Sequence, residues 1–520
     1  MGAFRERRFS YKCFSPETLI KRMNPSSSRY WDFSAPIAGV LFTLAFAPFD
    51  YAYLALLALV FLFASWQAVS AKRAALRGYL FGVGAFGSGV SWVYISMHDF
   101  GGAGVLAAST LTALFVAFWA LFPALAAYVS VRLQGAAGIV IMPGIWLLIE
   151  YVRGYWVLNG FPWLHGGYSQ LETPLAGYIP IVGVYGTGFI LALTASILLA
   201  GIKADKKRGL MIALALLWGV GAGLRPIDWT HPVGAPTRVA MIQGNIAQDQ
   251  KWRPENKINT LLMYRKMTQA QWAADIVIWP ETAIPAYLDQ VEDNFLRPLA
   301  AEARQHDTDL IISIPVQEQT PIKKFNAVIT LGGAGGMYRK MHLLPFGEYL
   351  PLQPLSGFVL DLVNIKLGNF TPGAPDQPLL KAAGYPFITL ICYEDVFGDL
   401  GIRGLPEAAF LVNVTNDGWF GDSIEPHQHM QMARMRALET GRFLLRSTNT
   451  GVTAIVSPQG GIVKQAPLFQ QTALTGSFIP MGGMTPYAHW GDHPVIAAIV
   501  VLLLGAVGYR RLNLRTQRAP

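Results

Sequence analysis

Residues 386–398, PFITLICYEDVFG, form an apolar run that ends on a cysteine, a tyrosine and two acids. The β-branched and aromatic residues make the run a strand, and the polar cluster makes its end a turn. In α/β folds chemistry gathers at such strand ends. Cys392 is one of only two cysteines in 520 residues, and the other, Cys13, lies near the N-terminus. A lone thiol is either core packing or a working group, and composition leaves both readings open.

The segments around this run alternate in character. TRVAMIQGNI (237–246), ADIVIWPETAIP (274–285), TDLIISIPVQ (308–317), AAFLVNVTNDGWFG (408–421) and LLRSTNTGVTAIVSPQGGIV (444–463) read as strands entering turns. NKINTLLMYRKMTQAQWA (256–273) and EPHQHMQMARMRALETGRF (425–443) have helical periodicity. Apolar runs with polar residues massed at their ends predict an α/β domain whose sheet is buried on both faces.

Farther out the composition changes. The chain is 52% hydrophobic and 14% charged, against about 25% charged in soluble domains. Eight apolar runs, at 35–49, 53–66, 78–95, 104–129, 136–152, 178–201, 209–223 and 493–509, have the character of membrane spans. Basic residues flank every second connection: Arg5, Arg7, Arg8 and Lys12; Lys72, Arg73 and Arg77; Arg132; Lys203, Lys206, Lys207 and Arg208; Arg510, Arg511, Arg515 and Arg518. By the positive-inside rule both termini are cytoplasmic. The expected organisation is a basic tail (1–34), seven spans (35–225), an outer domain (226–492), then an eighth span and a basic tail (493–520). No cleavable signal pattern precedes the first run. The net charge of +9 therefore reflects loop topology and not a nucleic-acid face.

Three strand ends in the outer domain carry ionisable residues: Glu281 after IVIWP, Lys340 in YRKMHLLPFGEYLP (338–351), and Cys392 after ITLI. A thiol nucleophile needs a base for its proton and a cation or hydrogen-bond donor for the oxyanion. A carboxylate, an ammonium and a thiol can fill these roles. Each alone has a plainer reading, as a helix cap, a solvated loop charge or a packed side chain.

WPETAIP, YRKMHLLPFGEYLP and LICYEDVFG together resemble the Glu, Lys and Cys motifs of the nitrilase (carbon–nitrogen hydrolase) superfamily, in order and in spacing. With seven runs before them and one after, the chain resembles the apolipoprotein N-acyltransferase family of bacterial envelopes. That resemblance implies an αββα sandwich for the outer domain and a Glu281–Lys340–Cys392 triad. It implies that Cys392 takes an acyl chain from a phospholipid as a thioester. The α-amine of a diacylglyceryl-cysteine apolipoprotein then accepts it, at the outer face of the bacterial inner membrane. Glu281 is expected to act as base and Lys340 to hold the oxyanion. Glu348 would keep Lys340 charged, Tyr393 and Glu394 would fix the nucleophile or orient the amine, and Trp252 and Trp419 would line the acyl entrance. QGNIAQDQKW (243–252) and NVTNDGWFG (413–421) line the site region in that family, although Asn416 and Asp417 also read as ordinary turn residues. No cofactor is expected, and a monomer is.

Two features stand apart. His427 and His429 lie two apart on a predicted helix and so face different ways, which argues against a metal. The apolar segment from Phe358 to Ile365, within 355–367, is expected to be a lid dipping into the lipid surface, the alternative being core. Two other functions compete with acyl transfer. A membrane-anchored amidase would use water as acceptor, although eight spans exceed an anchor's needs. A non-catalytic lipid or lipoprotein binder would not need the triad.

Overall fold

The computed structural model describes residues 29–133, 138–203, 207–333, 335–352, 357 and 369–516. The basic N-terminal tail with Cys13 and the expected lid over 358–365 lie outside the described residues.

Every one of the eight apolar runs is helical: Tyr30–Thr43, Tyr53–Ser65, Ala71–Gly89, Val105–Trp119 continued by Leu121–Leu133, Gly138–Tyr155, Ile179–Lys203, Arg208–Leu224 and His493–Thr516. Length and apolar composition suffice for a membrane crossing in three, Val105–Leu133, Gly138–Tyr155 and Pro174–Ile202. The run expected as one straight span at 78–95 is instead a helix, Ala71–Gly89, bent by 60° into Val93–Phe100, and this pair counts as a fourth only if taken together. Tyr53–Ser65, Arg208–Leu224 and His493–Gly508 are apolar but shorter.

Small residues set the helix spacing, as they must where lipid supplies no hydrophobic drive for helix pairing. A Cβ on Gly84 would fall 2.0 Å from the Pro36 carbonyl oxygen, and one on Gly39 would fall 2.1 Å from that of Phe81. Helices Tyr30–Thr43 and Ala71–Gly89 thus touch backbone to backbone. Asp32 of the first accepts from Arg77 Nε of the second at 2.9 Å and also pairs with Arg73.

Beyond Leu224 the chain forms two six-stranded sheets and a short ribbon. The ribbon pairs β1 (Thr230–Pro232) with β14 (Met481–Gly483). In the first sheet β2 (Thr237–Gln243), β3 (Ile276–Ile278) and β4 (Asp309–Gln319) are parallel. They are flanked by antiparallel β13 (Thr472–Phe478) on one side and β5 (Ile322–Leu331) and β6 (Gly336–Arg339) on the other. The second sheet repeats the plan. Its β8 (Tyr385–Ile391), β9 (Phe410–Thr415) and β10 (Leu444–Thr448) are parallel. Antiparallel β7 (Leu380–Ala382) flanks one side, and β11 (Ala454–Val456) and β12 (Ile462–Gln465) the other.

Strand alternation explains the layering. Val239 and Met241 of β2 meet Val412, Val414 and Ile391 of the second sheet in one buried cluster. Their neighbours Ala240 and Ile242 face outward onto Leu261 and Tyr264 of helix Lys257–Gln269 and Leu299 of helix Arg297–Gln305. On the second sheet Ile388, Leu390 and Leu411 face Met430, Met432 and Ala433 of helix Glu425–Thr440. That makes an αββα sandwich, the carbon–nitrogen hydrolase plan. The cluster around helix Glu425–Thr440 runs on without a break into Trp163, Tyr168 and Leu191 of the membrane helices and their loops. The two parts share one core.

The glycine contacts yield a paired test. Gly84→Ala should lower the melting temperature of the detergent-purified protein by several degrees, because its Cβ meets backbone that cannot move away. Gly87→Ala on the same helix should be tolerated, since its Cβ finds only Val116 Cγ1 at 3.9 Å.

Candidate active site

The three ionisable residues singled out in the sequence each follow a strand that ends on the same side of the sandwich: Glu281 after β3, Lys340 after β6 and Cys392 after β8. Cys392 begins a 3₁₀ turn, Cys392–Val396, and has φ 50°. A non-glycine residue in the left-handed region is uncommon and marks a position that the surroundings hold in place.

Glu394 does the holding. Its carboxylate accepts from the backbone N–H of Ile391 (2.8 Å), Met341 (2.7 Å) and His342 (3.1 Å) and from the Tyr338 hydroxyl (2.9 Å). One side chain therefore ties the cysteine turn to the Lys340 loop. It is fully buried and acts as a structural tie between them. Tyr393 turns the other way, onto a membrane-domain loop. Its ring stacks on Trp163 at 5.9 Å and its hydroxyl donates to the Gly160 carbonyl at 2.5 Å.

Lys340 Nζ lies 2.8 Å from Glu348 Oε2 and is 1% exposed. Burial works against its charge, but Glu348, Cys392 and Glu281 outweigh burial and push its pKa up. It is a permanent cation. Asn326 Nδ2 donates both to Glu281 Oε1 at 2.7 Å and to Glu348 Oε1 at 3.1 Å, so it spaces the two carboxylates. Burial raises the Glu281 pKa, Lys340 opposes this, Glu348 adds to it, and Asn326 and Lys251 lower it. Burial and Glu281 push the Cys392 thiol well above its ordinary value, against the pull of Lys340 and a hydrogen bond from Thr415. Both shifts favour the uncharged forms, of the thiol and of the carboxyl, beside a charged Lys340. A raised carboxylate is the stronger base, so proton transfer from the thiol becomes less uphill as the nucleophile attacks.

Behind the cysteine turn lies a charged cluster that the sequence reading did not assemble. His429 sits between Asp395, 2.8 Å from Nε2, and Asp417, 3.0 Å from Nδ1. Arg446 bonds the same two acids at 2.7 and 3.1 Å. Asp417 also accepts from Thr415 at 3.0 Å. Asp417 is thus a buried ionic partner and more than a turn residue, while Asn416 bonds Gln248 Oε1 at 2.8 Å. Asp417, Glu425 and His429 have ligand atoms within 4.8 Å of one another. A cation there would have to displace the His429 proton and compete with Arg446 for Asp417. The two histidines do diverge as expected, with His429 alone entering the cluster.

Trp252 and Trp419 are 50% and 41% exposed, at the ends of loops that follow β2 and β9. Trp419 meets Phe100 of the membrane domain edge-on at 6.1 Å. Sequence reading gave Lys251 no role of its own, although it lies in QGNIAQDQKW (243–252), and it missed Asn326, Arg446 and the loop around Trp163. For Arg446 the only signal was a charge at the end of an apolar run.

Two family models match the chain: the apolipoprotein N-acyltransferase N-terminal domain over residues 38–197 and carbon-nitrogen hydrolase over residues 238–479. The apolipoprotein N-acyltransferase of Methylococcus capsulatus is 51% identical over 90% of this chain and 94% of its own length. That of Pseudomonas aeruginosa is 42% identical over 92% and 96%. Among solved structures, that of Saccharomyces cerevisiae Nit3, a nitrilase-superfamily member, aligns over 47% of this chain and 90% of its own at 18% identity and TM-score 0.36.

The cluster predicts a pH-dependent stability. Its two acids hold the His429 pKa up at about 10 despite burial, against an ordinary 6.5. The stabilisation is complete below the ordinary imidazole value and is lost as pH rises through about 10. The melting temperature of the detergent-purified protein should therefore fall across that window. His429→Ala should cost about 3–5 kcal/mol by leaving two buried acids to share Arg446 alone and should flatten that part of the curve.

Proposed function

The chain belongs to the apolipoprotein N-acyltransferase family, and on that footing we propose that Glu281, Lys340 and Cys392 carry out its acyl transfer through a Cys392 thioester. The protein is an acyltransferase of lipoprotein biosynthesis, with phospholipid as acyl donor and apolipoprotein as acceptor. The observation that carries the triad is the left-handed Cys392 at a strand end, tied through Glu394 to the loop of a lysine that is itself ion-paired to Glu348.

In the first half-reaction Glu281 takes the Cys392 proton as sulfur attacks the ester carbonyl. Lys340, with the N–H of Tyr393, stabilises the tetrahedral oxyanion. The C–O bond breaks, Glu281 returns its proton to the leaving alkoxide, and a lysophospholipid departs. In the second half-reaction the free α-amine of the diacylglyceryl-cysteine attacks the thioester. Glu281 takes a proton from nitrogen, the C–S bond breaks, and Cys392 leaves as a thiolate that regains a proton. Glu348 keeps Lys340 charged through both halves. Tyr393 anchors the nucleophile turn, and Trp252 and Trp419 flank the acyl entrance.

The same reading keeps eight spans, with domains at 1–34, 35–225, 226–492 and 493–520. Both termini are cytoplasmic, the sandwich is periplasmic on the inner membrane, and the enzyme works as a monomer. The shorter helices cross in company with longer ones, since their partners shield their ends.

Intact-mass analysis tests the scheme. Enzyme mixed with phosphatidylethanolamine in detergent should gain one acyl mass, which neutral hydroxylamine removes. Cys392→Ser should gain none, because a serine hydroxyl is a far weaker acid than a thiol. Acyl-enzyme formation should fall on acidification with a midpoint above the ordinary glutamate value of 4.5, since Glu281 is raised and must be ionised to act. Acylated Cys392→Ser, or a lysophospholipid product without an acyl-enzyme, would refute the thioester.

A further inference from the structure

Lys251 is a second buried lysine at this site, and nothing in the scheme above uses it. It closes the short helix Gln248–Lys251 and is 2% exposed. Among the described residues its ammonium is ion-paired to no carboxylate. Instead Nζ donates to the backbone carbonyl of Glu281 at 3.1 Å and to Thr282 Oγ1 at 2.8 Å. Both acceptors belong to the turn that carries the base.

That turn is under strain. Thr282 has φ 44°, and a β-branched residue there is a conformational outlier that persists only if its surroundings hold it. Two bonds do so: Lys251 on the hydroxyl and Ser313 Oγ, which accepts from the Thr282 N–H at 3.0 Å. Without Lys251 the Glu281 carbonyl and the Thr282 hydroxyl would be buried with no donor of comparable strength, and the turn would lose one of its two clasps.

The two lysines around Glu281 differ in kind. Lys340 is ion-paired to Glu348 and is still the stronger of the two in drawing the Glu281 pKa down. Lys251 has no such partner, so its charge acts on Glu281 and Cys392, the two ionisable groups it faces. Burial pulls its own pKa down to about 8. The groups facing Glu281 are Lys340, Glu348, Asn326 and Lys251.

Resting on the reading of Glu281 as the base, we propose that Lys251 is a positioning residue for it. It clasps the 281–282 turn in its left-handed form and places a second positive charge, besides that of Lys340, beside the carboxylate.

The test is the rate of acyl-enzyme formation from phosphatidylethanolamine micelles as a function of pH, for wild type, Lys251→Met, Lys251→Arg and Glu281→Gln. Lys251→Met should be slower by roughly 10- to 100-fold at neutral pH, since a displaced base loses about that much. Its acid-side midpoint should move up by on the order of one pH unit, because a nearby cation is gone. Lys251→Arg should keep the wild-type midpoint and recover much of the rate. A Lys251→Met enzyme slowed equally at every pH, with its midpoint unmoved, would make the residue merely structural and overturn the proposal. So would a wild-type profile. If Lys251→Met does not fold, Lys251→Arg decides: a midpoint moved as far as one pH unit overturns the proposal and an unmoved one supports it. Glu281→Gln separates the two layers. Loss of acylation at every pH upholds the base, whereas a wild-type rate would remove the base itself, and the role of Lys251 with it.

Discussion

The Glu394 carboxylate sits where the two sheets of the sandwich meet and accepts four hydrogen bonds there. Two come from the backbone of the Lys340 loop, one from the end of β8 and one from the Tyr338 hydroxyl. Burying a carboxylate is costly unless donors surround it. Here they come from chain segments some fifty residues apart, so the arrangement is possible only with both sheets in register. Burial raises the Glu394 pKa to about 7 despite these donors. The same bonds tie the Cys392 turn on one sheet to the Lys340 loop on the other.

Around that tie the charges are sorted by depth. On the side of Glu281, Lys340 and Glu348 are ion-paired and Asn326 spaces the two carboxylates. Behind the turn, Asp395 and Asp417 are each shared between His429 and Arg446. Glu425 also lies 3.6 Å from His429, and burial pushes its pKa well up toward the neutral form, so the two cations are matched chiefly against Asp395 and Asp417. On the proposed mechanism, an anionic transition state would meet a cation already in place. Preorganised charge of this kind needs no rearrangement when the reaction occurs.

The membrane part also reaches the site. Tyr393, next to the nucleophile, stacks on Trp163 and donates to the Gly160 carbonyl. Arg153 holds that loop by donating to the Phe161 and Trp163 carbonyls at 2.6 and 2.7 Å. Helix Glu425–Thr440 packs on the second sheet and on helix Ile179–Lys203 through one cluster. A soluble sandwich of this plan would expose that layer to water. Here it is the surface by which the sandwich rests on the bundle, which suits substrates that arrive from a bilayer.

Much of this was legible in the chain itself. Alternation in TRVAMIQ and ITLI announced strands, and apolar runs flanked by arginine and lysine announced membrane helices, because both signals are local and repeat at the period of the structure. Glu281, Lys340 and Cys392 could be picked out because each ends an apolar run where a polar residue has no packing reason to be. Their convergence could not be read, since it depends on how two sheets pair across segments far apart in sequence. Glu394 looked like an orienting group beside the nucleophile, yet folding buried it among backbone donors that no sequence pattern reveals. His429 looked like a histidine on a helix until Asp395, Asp417 and Arg446, from three other elements, closed around it. Lys251 looked like one more basic residue before a tryptophan. The sequence alone determined which residues could do chemistry and where the membrane helices run, because residue type and periodicity are local properties. Only the tertiary structure decided which of those groups are charged, tied or strained, because those states depend on burial and on partners that the chain brings together only when folded.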